Sequence, residues 1–363
     1  MKKLLLILLC LPIIGFGQDY GHTFGSNESQ SGYSVQQTTD GGYIIAGSSG
    51  TFGNDVTSGS SGAYLIKTDS YLDTLWTRNY GDLHPDTVSY SNANSVKQTS
   101  DGGYIVSGMF GFFDTLAPSR LLIKTDSYGD TLWTQRYYSS NYIFSDYSSS
   151  SVSVQQTTDG GYVMSASASL PVSFCNPNGS PCPTYSAIIK TDSFGDTLWT
   201  KVFNFCASTG NNEHSVQQTI DGGYILLGHK GIPYYDSGPE VPCLIKTNSS
   251  GDTLWTKTFG NGTYTDGGSS VQQTTDGGYI FTGRKSDDVW LIKTDGNGIE
   301  QWSQTFGDNL TDKGYSVQQT TDGGYIITGS KGQLVTGPNF NWSQEDVWLI
   351  KTDGNGIEQW SQT

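Results

Sequence analysis

The sequence predicts an all-β fold, a six-bladed β-propeller of four-stranded antiparallel blades. Three observations predict it. Asp-Gly-Gly-Tyr occurs six times in 363 residues, beginning at Asp40, Asp101, Asp159, Asp221, Asp276 and Asp322. A Leu-Ile-Lys-Thr-Asp segment or close variant follows each copy, with its lysine at Lys67, Lys124, Lys190, Lys246, Lys293 and Lys351. A tryptophan closes every unit: Trp76, Trp133, Trp199, Trp255, Trp302 and Trp360. The units are blade-sized, and self-similarity on this scale is the signature of a repeat architecture.

Each unit divides into four short strands. Ser-Val-Gln-Gln-Thr is the first, varied to Ser95-Val96-Lys97-Gln98-Thr99 in the second unit. The Asp-Gly-Gly after it is a hairpin signal, because tight turns need positive φ and glycine supplies it without strain. Gly-Tyr-Ile-Ile-Ala-Gly and its variants form the second strand, and Leu-Ile-Lys-Thr the third. A turn such as Asp126-Ser127-Tyr128-Gly129-Asp130 then leads into the fourth strand, which carries the tryptophan. No stretch has a sustained helical period of apolar residues. One four-stranded meander cannot bury both faces alone; radial stacking covers them and leaves only short edges. A β-helix has shorter rungs without two fixed hairpins per repeat.

The pattern of a strand after Asp-Gly followed by Leu-Ile-Lys-Thr-Asp-x-x-Gly-x-x-x-Trp resembles the quinoprotein-dehydrogenase-like (PQQ-like) propeller repeat. That resemblance implies that the closing tryptophan docks between adjacent blades. The chain is also similar to secreted bacterial repeat proteins with Thr-Thr-Asp-Gly-Gly-Tyr-Ile-Ile-Ala-Gly units, often associated with type IX secretion. Two departures stand out: Leu72 replaces the turn glycine in the first unit, and Asn248 replaces the turn aspartate in the fourth. Quinone-cofactor enzymes of this fold use adjacent cysteines and more blades. The chain has no adjacent cysteines, so no cofactor is expected.

Residues 1–17 have the form of an export signal: Lys2 and Lys3, an apolar run from Leu4 to Ile14, and Gly15-Phe16-Gly17 as a small-residue cleavage site. The run is short of the ~20 residues that span a bilayer. The expected domain organisation is therefore a signal peptide over 1–17 and a propeller over 18–363, located outside the cell or on its outer surface. A monomer without a membrane span is expected. A net charge of −15 argues against nucleic acid as a partner, since that contact needs clustered Lys and Arg. Cys175, Cys182, Cys206 and Cys243 remain after the signal, an even number that suggests disulfides in an exported chain. Cys175–Cys182 across a short loop and Cys206–Cys243 are the favoured pairs.

In an up-and-down blade the two tight turns lie at one edge and the two variable connections at the other. Variable loops on a rigid scaffold are where recognition is expected. They carry aromatics suited to a sugar face or a protein hot spot: Phe112, Phe113, Tyr142, Tyr147, Tyr234, Tyr235 and Trp342 are the candidate ligand-binding residues. No catalytic set emerges. The four arginines (Arg78, Arg120, Arg136, Arg284) make no sialidase-type cluster by their placement, and the four histidines share no ligand spacing. Asp295-Gly296-Asn297-Gly298 lacks the later oxygens of a calcium loop, so no metal is expected. Loop acids Asp114, Glu213, Glu240 and Glu345 could supply a glycosidase pair, but nothing in the sequence selects two of them.

The expected function is a non-catalytic binding or scaffold module for carbohydrate or extracellular protein. The alternatives are a polysaccharide-active hydrolase using loop carboxylates, or a spacer domain of a longer protein. Residues 288–305 recur identically as 346–363, and the second copy stops in mid-motif where the first continues Phe306-Gly307. The N-terminal Thr23-Phe24-Gly25 matches that continuation. Either the N-terminal strand completes the last blade, or further blades follow.

Overall fold

The computed structural model describes residues 24, 30–50, 61–80, 89–112, 119–137, 153–169, 184–208, 215–231, 240–260, 266–336 and 341–363. The proposed signal segment, Cys175 and Cys182 lie outside them. The described residues form 24 strands and no helix.

Blade 1 holds β1 (Gln30–Gln37), β2 (Tyr43–Gly50), β3 (Ser61–Thr68) and β4 (Thr74–Asn79). Blade 2 holds β5 (Ser89–Gln98), β6 (Tyr104–Phe112), β7 (Ser119–Thr125) and β8 (Thr131–Tyr137). Blade 3 holds β9 (Val154–Gln156), β10 (Tyr162–Ser169), β11 (Thr184–Thr191) and β12 (Thr197–Ser208). Blade 4 holds β13 (Ser215–Gln218), β14 (Tyr224–Gly231), β15 (Glu240–Thr247) and β16 (Thr253–Thr258). Blade 5 holds β17 (Gly267–Gln273), β18 (Tyr279–Lys285), β19 (Asp288–Thr294) and β20 (Glu300–Phe306). Blade 6 holds β21 (Lys313–Gln319), β22 (Tyr325–Thr336), β23 (Asn341–Thr352) and β24 (Glu358–Gln362). Every sheet is an antiparallel meander in chain order, and together they make a six-bladed β-propeller.

First strands of successive blades touch, β1 with β5, β5 with β9, and so on to β17 with β21. They therefore surround the axis, while the fourth strands form the solvent-facing rim. The middle strands are buried on both faces; β7 is buried at every residue. Period-2 alternation splits each middle strand between two neighbours. Tyr104 and Val106 join Ile44 and Leu65 in the core between blades 1 and 2. Ile105, between them in sequence, joins Tyr162 and Met164 in the next core. Five such cores run from blade 1 to blade 6.

A tryptophan seals each of these junctions. Trp76, Trp133, Trp199, Trp255 and Trp302 meet Tyr104, Tyr162, Tyr224, Tyr279 and Tyr325 of the following blade, with ring centroids 5.7–5.9 Å apart. The indole tip also reaches the next blade's turn glycine. A Cβ on Gly251 (φ 78°) would sit 2.9 Å from Trp199, so glycine serves both the turn and the close approach there.

Among the described residues, the junction from blade 6 to blade 1 lacks this design. Trp360 is 49% exposed and β24 is exposed throughout. Val35 is 62% exposed where Val96 and Val154 are fully buried. The position that would receive Trp360 is Leu72, at φ 70°, where the other five units have glycine. Phe24 lines a small pocket together with Ile45, Tyr64 and Ile66 of blade 1. Phe259 packs on Phe281 of blade 5 in the corresponding way, at 4.9 Å. Phe24 thus takes the place of a fourth-strand end, as its sequence match suggests, although the described sheet of blade 6 contains only β21–β24.

The second departure is conservative in effect. Asp126 Oδ1 accepts the N–H groups of Tyr128 and Asp130, both at 2.9 Å. Asn248 Oδ1 accepts those of Ser250 and Asp252 at 3.0 and 2.9 Å. An amide oxygen does the same work in that turn.

Candidate functional site

The two edges of the propeller differ in kind. At the edge with the tight turns, the same assembly recurs in all six blades. The buried lysine of each third strand reaches the aspartate of its own first hairpin at 2.8–2.9 Å. The aspartate also accepts the threonine hydroxyl and the second glycine's N–H, as Asp40 does from Thr38 and Gly42. Repetition without variation marks these six lysine–aspartate assemblies as structural.

These contacts hold the carboxyls of Asp40, Asp101, Asp221 and Asp276 at a pKa of about 2, against an ordinary 3.8. At Asp40 the hydrogen bond from Lys67 is the main cause. At the other three, partial burial pushes the value up and is outweighed by the lysine, threonine and glycine donors. A depressed folded pKa means that the unfolded chain binds protons first as pH falls. Stability present above about pH 4 is therefore expected to drain away between pH 4 and pH 2. The aspartates are more than half exposed, so each contributes modestly and the effect is a sum over blades. Urea midpoints measured across this range should fall steeply, and less steeply in Asp276→Asn; an unchanged slope in the variant would contradict the assignment.

The opposite edge carries connections of unequal length. Ser286 and Asp287 alone join β18 to β19, whereas residues 170–183 join β10 to β11. Of the sequence-selected aromatics, Phe113, Tyr142, Tyr147, Tyr234 and Tyr235 lie outside the described residues. The backbone of Phe112 ends β6 opposite Ser89, and that of Trp342 pairs with Val335 in the long β22–β23 hairpin. Their side chains lie outside the described residues. Asp114 and Glu213 do as well.

Between blades 5 and 6 this edge holds a polar cleft lined by Arg284, Asp287, Asn309, Leu310, Thr311, Lys313, Gly332 and Glu345. Lys313 pairs with Glu345 at 2.9 Å, and the Tyr315 hydroxyl lies 3.5 Å from the same carboxylate. Burial of Glu345 opposes its ionisation, but the hydrogen bonds from Lys313 and Ser330 and the lysine's charge hold its pKa below the ordinary value. The cleft wall is fixed from behind by Asp312, which is fully buried. Its backbone N–H donates to the Asp287 carbonyl at 2.6 Å, and its Oδ1 accepts the Gly332 N–H at 2.8 Å. Burial raises the pKa of Asp312. Burial also raises that of Asp288, helped by the charges of Asp287 and Asp308. Glu240, which like Glu345 lies in a strand and not in the loop the sequence suggested, is not part of the cleft; it lies 3.5 Å from Nδ1 of His229 in blade 4.

The cleft therefore presents cationic, amide and carboxylate groups together, a set able both to donate to and accept from hydroxyls. Glu345 was visible as a candidate in the sequence, and Arg284 only as one of four arginines that form no cluster by placement. Asp287, Asn309, Thr311 and Lys313 were not visible. For the last three the signal is the stretch from Gly307 to Gly314, which shares Thr-Asp-x-Gly with Thr265–Gly268 in the preceding blade.

No family model and no curated protein matches this chain. Solved structures do. An α-L-arabinanase from Penicillium chrysogenum, complexed with arabinobiose, is 9% identical with a TM-score of 0.51, covering 89% of this chain and 93% of its own. An α-L-arabinofuranosidase from Fusarium graminearum is 10% identical with a TM-score of 0.48, covering 86% and 91%. The β-propeller domain of the Pyrococcus furiosus trilobed protease is 9% identical with a TM-score of 0.45, covering 93% and 93%. At such identities the likeness is one of fold, and the fold this chain shares is the β-propeller.

Proposed function

We propose that this protein is an extracellular or cell-surface propeller that binds carbohydrate, without catalysis, through its variable-loop edge. The observation that carries the reading is the blade 5–6 cleft, where Lys313, Glu345, Asn309 and Asp287 offer alternating donors and acceptors on a rigid frame. Sugar hydroxyls need such paired partners, and each well-placed hydrogen bond adds about 0.5–1.5 kcal/mol. The arabinanase supports the reading as a propeller of the same fold solved with a sugar. The Cys206–Cys243 disulfide agrees with an oxidising compartment.

Calorimetric titration with a panel of arabino- and other oligosaccharides tests the proposal. Binding is expected, weakened about 5–10-fold by Asn309→Ala or Lys313→Ala. Affinity unchanged in both variants would remove the cleft from consideration. Release of reducing sugar, lost in Glu345→Gln with the fold intact, would replace binding alone with hydrolysis.

A further inference from the structure

The paired glutamines of the first strands have a defined task at the axis. Because these strands are innermost, one backbone edge of each has no further strand to bond. Side chains of the preceding blade cap it instead. Oε1 of Gln36, Gln155, Gln217 and Gln272 accepts the N–H of Gln98, Gln218, Gln273 and Gln319, at 2.7, 2.9, 2.6 and 2.7 Å. A backbone N–H can bond only to the amide oxygen, so the orientation of each of these side chains is fixed. Their oxygens are committed, and their Nε2 groups have no partner among the described residues. What the capping side chains leave toward the axis is a set of donors.

Blade 2 breaks the series. It has Lys97 where the others have the first glutamine. Lysine has no acceptor, so the corresponding N–H of Gln156 in blade 3 gains no side-chain oxygen. By register it is the same N–H: Gln156 faces Tyr162 as Gln98 faces Tyr104. Lys97 itself makes no hydrogen bond or ion pair among the described residues. The nearest repeated carboxylates, Asp101 and Asp159, are occupied by Lys124 and Lys190. Burial pushes the Lys97 ammonium below its ordinary pKa, a cost that a bound anion would offset. A chain of net charge −15 thus places at its hub a cation with no counter-ion among the described residues, on a strand next to one with an uncapped N–H.

We propose that the axial collar at the blade 2–3 junction is a binding site for a small oxyanion, a carboxylate or phosphate group, held by Lys97 Nζ and the Gln156 N–H. This site lies at the tight-turn edge and is independent of the loop-edge cleft. Charge-assisted hydrogen bonds to an anion are the stronger kind, and the two donors come from first strands that touch.

Thermal unfolding of the full chain tests this at pH 7 and constant ionic strength, with chloride replaced stepwise by inorganic phosphate or by acetate. The wild-type midpoint is expected to rise by about 2 °C with at least one of the two, since binding to the folded state alone stabilises it. Which ion acts tells carboxylate from phosphate. Lys97→Gln should abolish the rise. It should also start from a higher midpoint in chloride, because the new oxygen caps the Gln156 N–H as the first glutamines cap blades 2, 4, 5 and 6. Lys97→Met should abolish the rise without that gain. No rise in the wild type with either ion, or an equal rise in both variants, would overturn the proposal.

Discussion

Replacing Trp199 with alanine should destabilise the protein by about 2–4 kcal/mol, below the usual cost of truncating a fully buried aromatic because this indole is only partly buried. Trp199 meets Tyr224 edge-on at 5.7 Å and fills the space beside Gly251. Trp360 occupies the same place in the repeat but is 49% exposed. Trp360→Ala should therefore cost under about 1 kcal/mol, the range of substitutions away from packed contacts. The receiving glycine gives the reciprocal test. Gly251→Ala combines a positive φ, worth about 1–2 kcal/mol, with a collision that adds about 1–3 kcal/mol. Gly222 has the same φ of 78° but nothing within 4 Å of a Cβ, so Gly222→Ala should incur the backbone penalty alone. Urea unfolding of the four variants measures this. Equal losses at Trp199 and Trp360, or at Gly251 and Gly222, would contradict the docking account.

Breaking the Cys206–Cys243 bond should cost about 4 kcal/mol, the chain-entropy value for a loop of this length. The bond links β12 of blade 3 to β15 of blade 4 across 37 residues of sequence, and both cysteines are fully buried. It is a covalent tie through an inter-blade core that also contains Trp199. The measurement is the urea midpoint of Cys206→Ala/Cys243→Ala against the parent. A loss below about 1 kcal/mol would mean that the core alone sets the spacing of these blades.

Much of the architecture was legible because each repeat states its own turns. Asp-Gly-Gly fixes the first hairpin, and the structure gives its glycines two separate tasks. Gly41 takes φ 84°, while a Cβ on Gly42 would run into the Thr68 carbonyl and the Lys67 ammonium. The paired glutamines were less legible. They occupy a strand, but their work is to cap a neighbouring strand's free edge, which no local pattern reveals. The candidate cleft was legible only in part. Glu345 was noticed as a loop acid, but its partner Lys313 belongs to a different strand, β21. Aspartates can also mislead by composition. Asp312 lies in a loop sequence, yet it is fully buried and braces the cleft wall. The lysine of each Leu-Ile-Lys-Thr segment would pass for a surface charge, yet five of the six have side chains only 4% exposed.

Among the described residues no tryptophan seals blade 6 against blade 1, and that changes how the molecule is expected to come apart. A ring sealed all round has no natural starting point for melting, since every blade is held from both sides. A row with two unclasped ends does: its terminal sheets each lose only one neighbour's worth of contact, so fraying begins there and travels inward. Cooperativity then depends on the five sealed junctions in series, and weakening a central one would divide the row into two pieces able to melt at different temperatures.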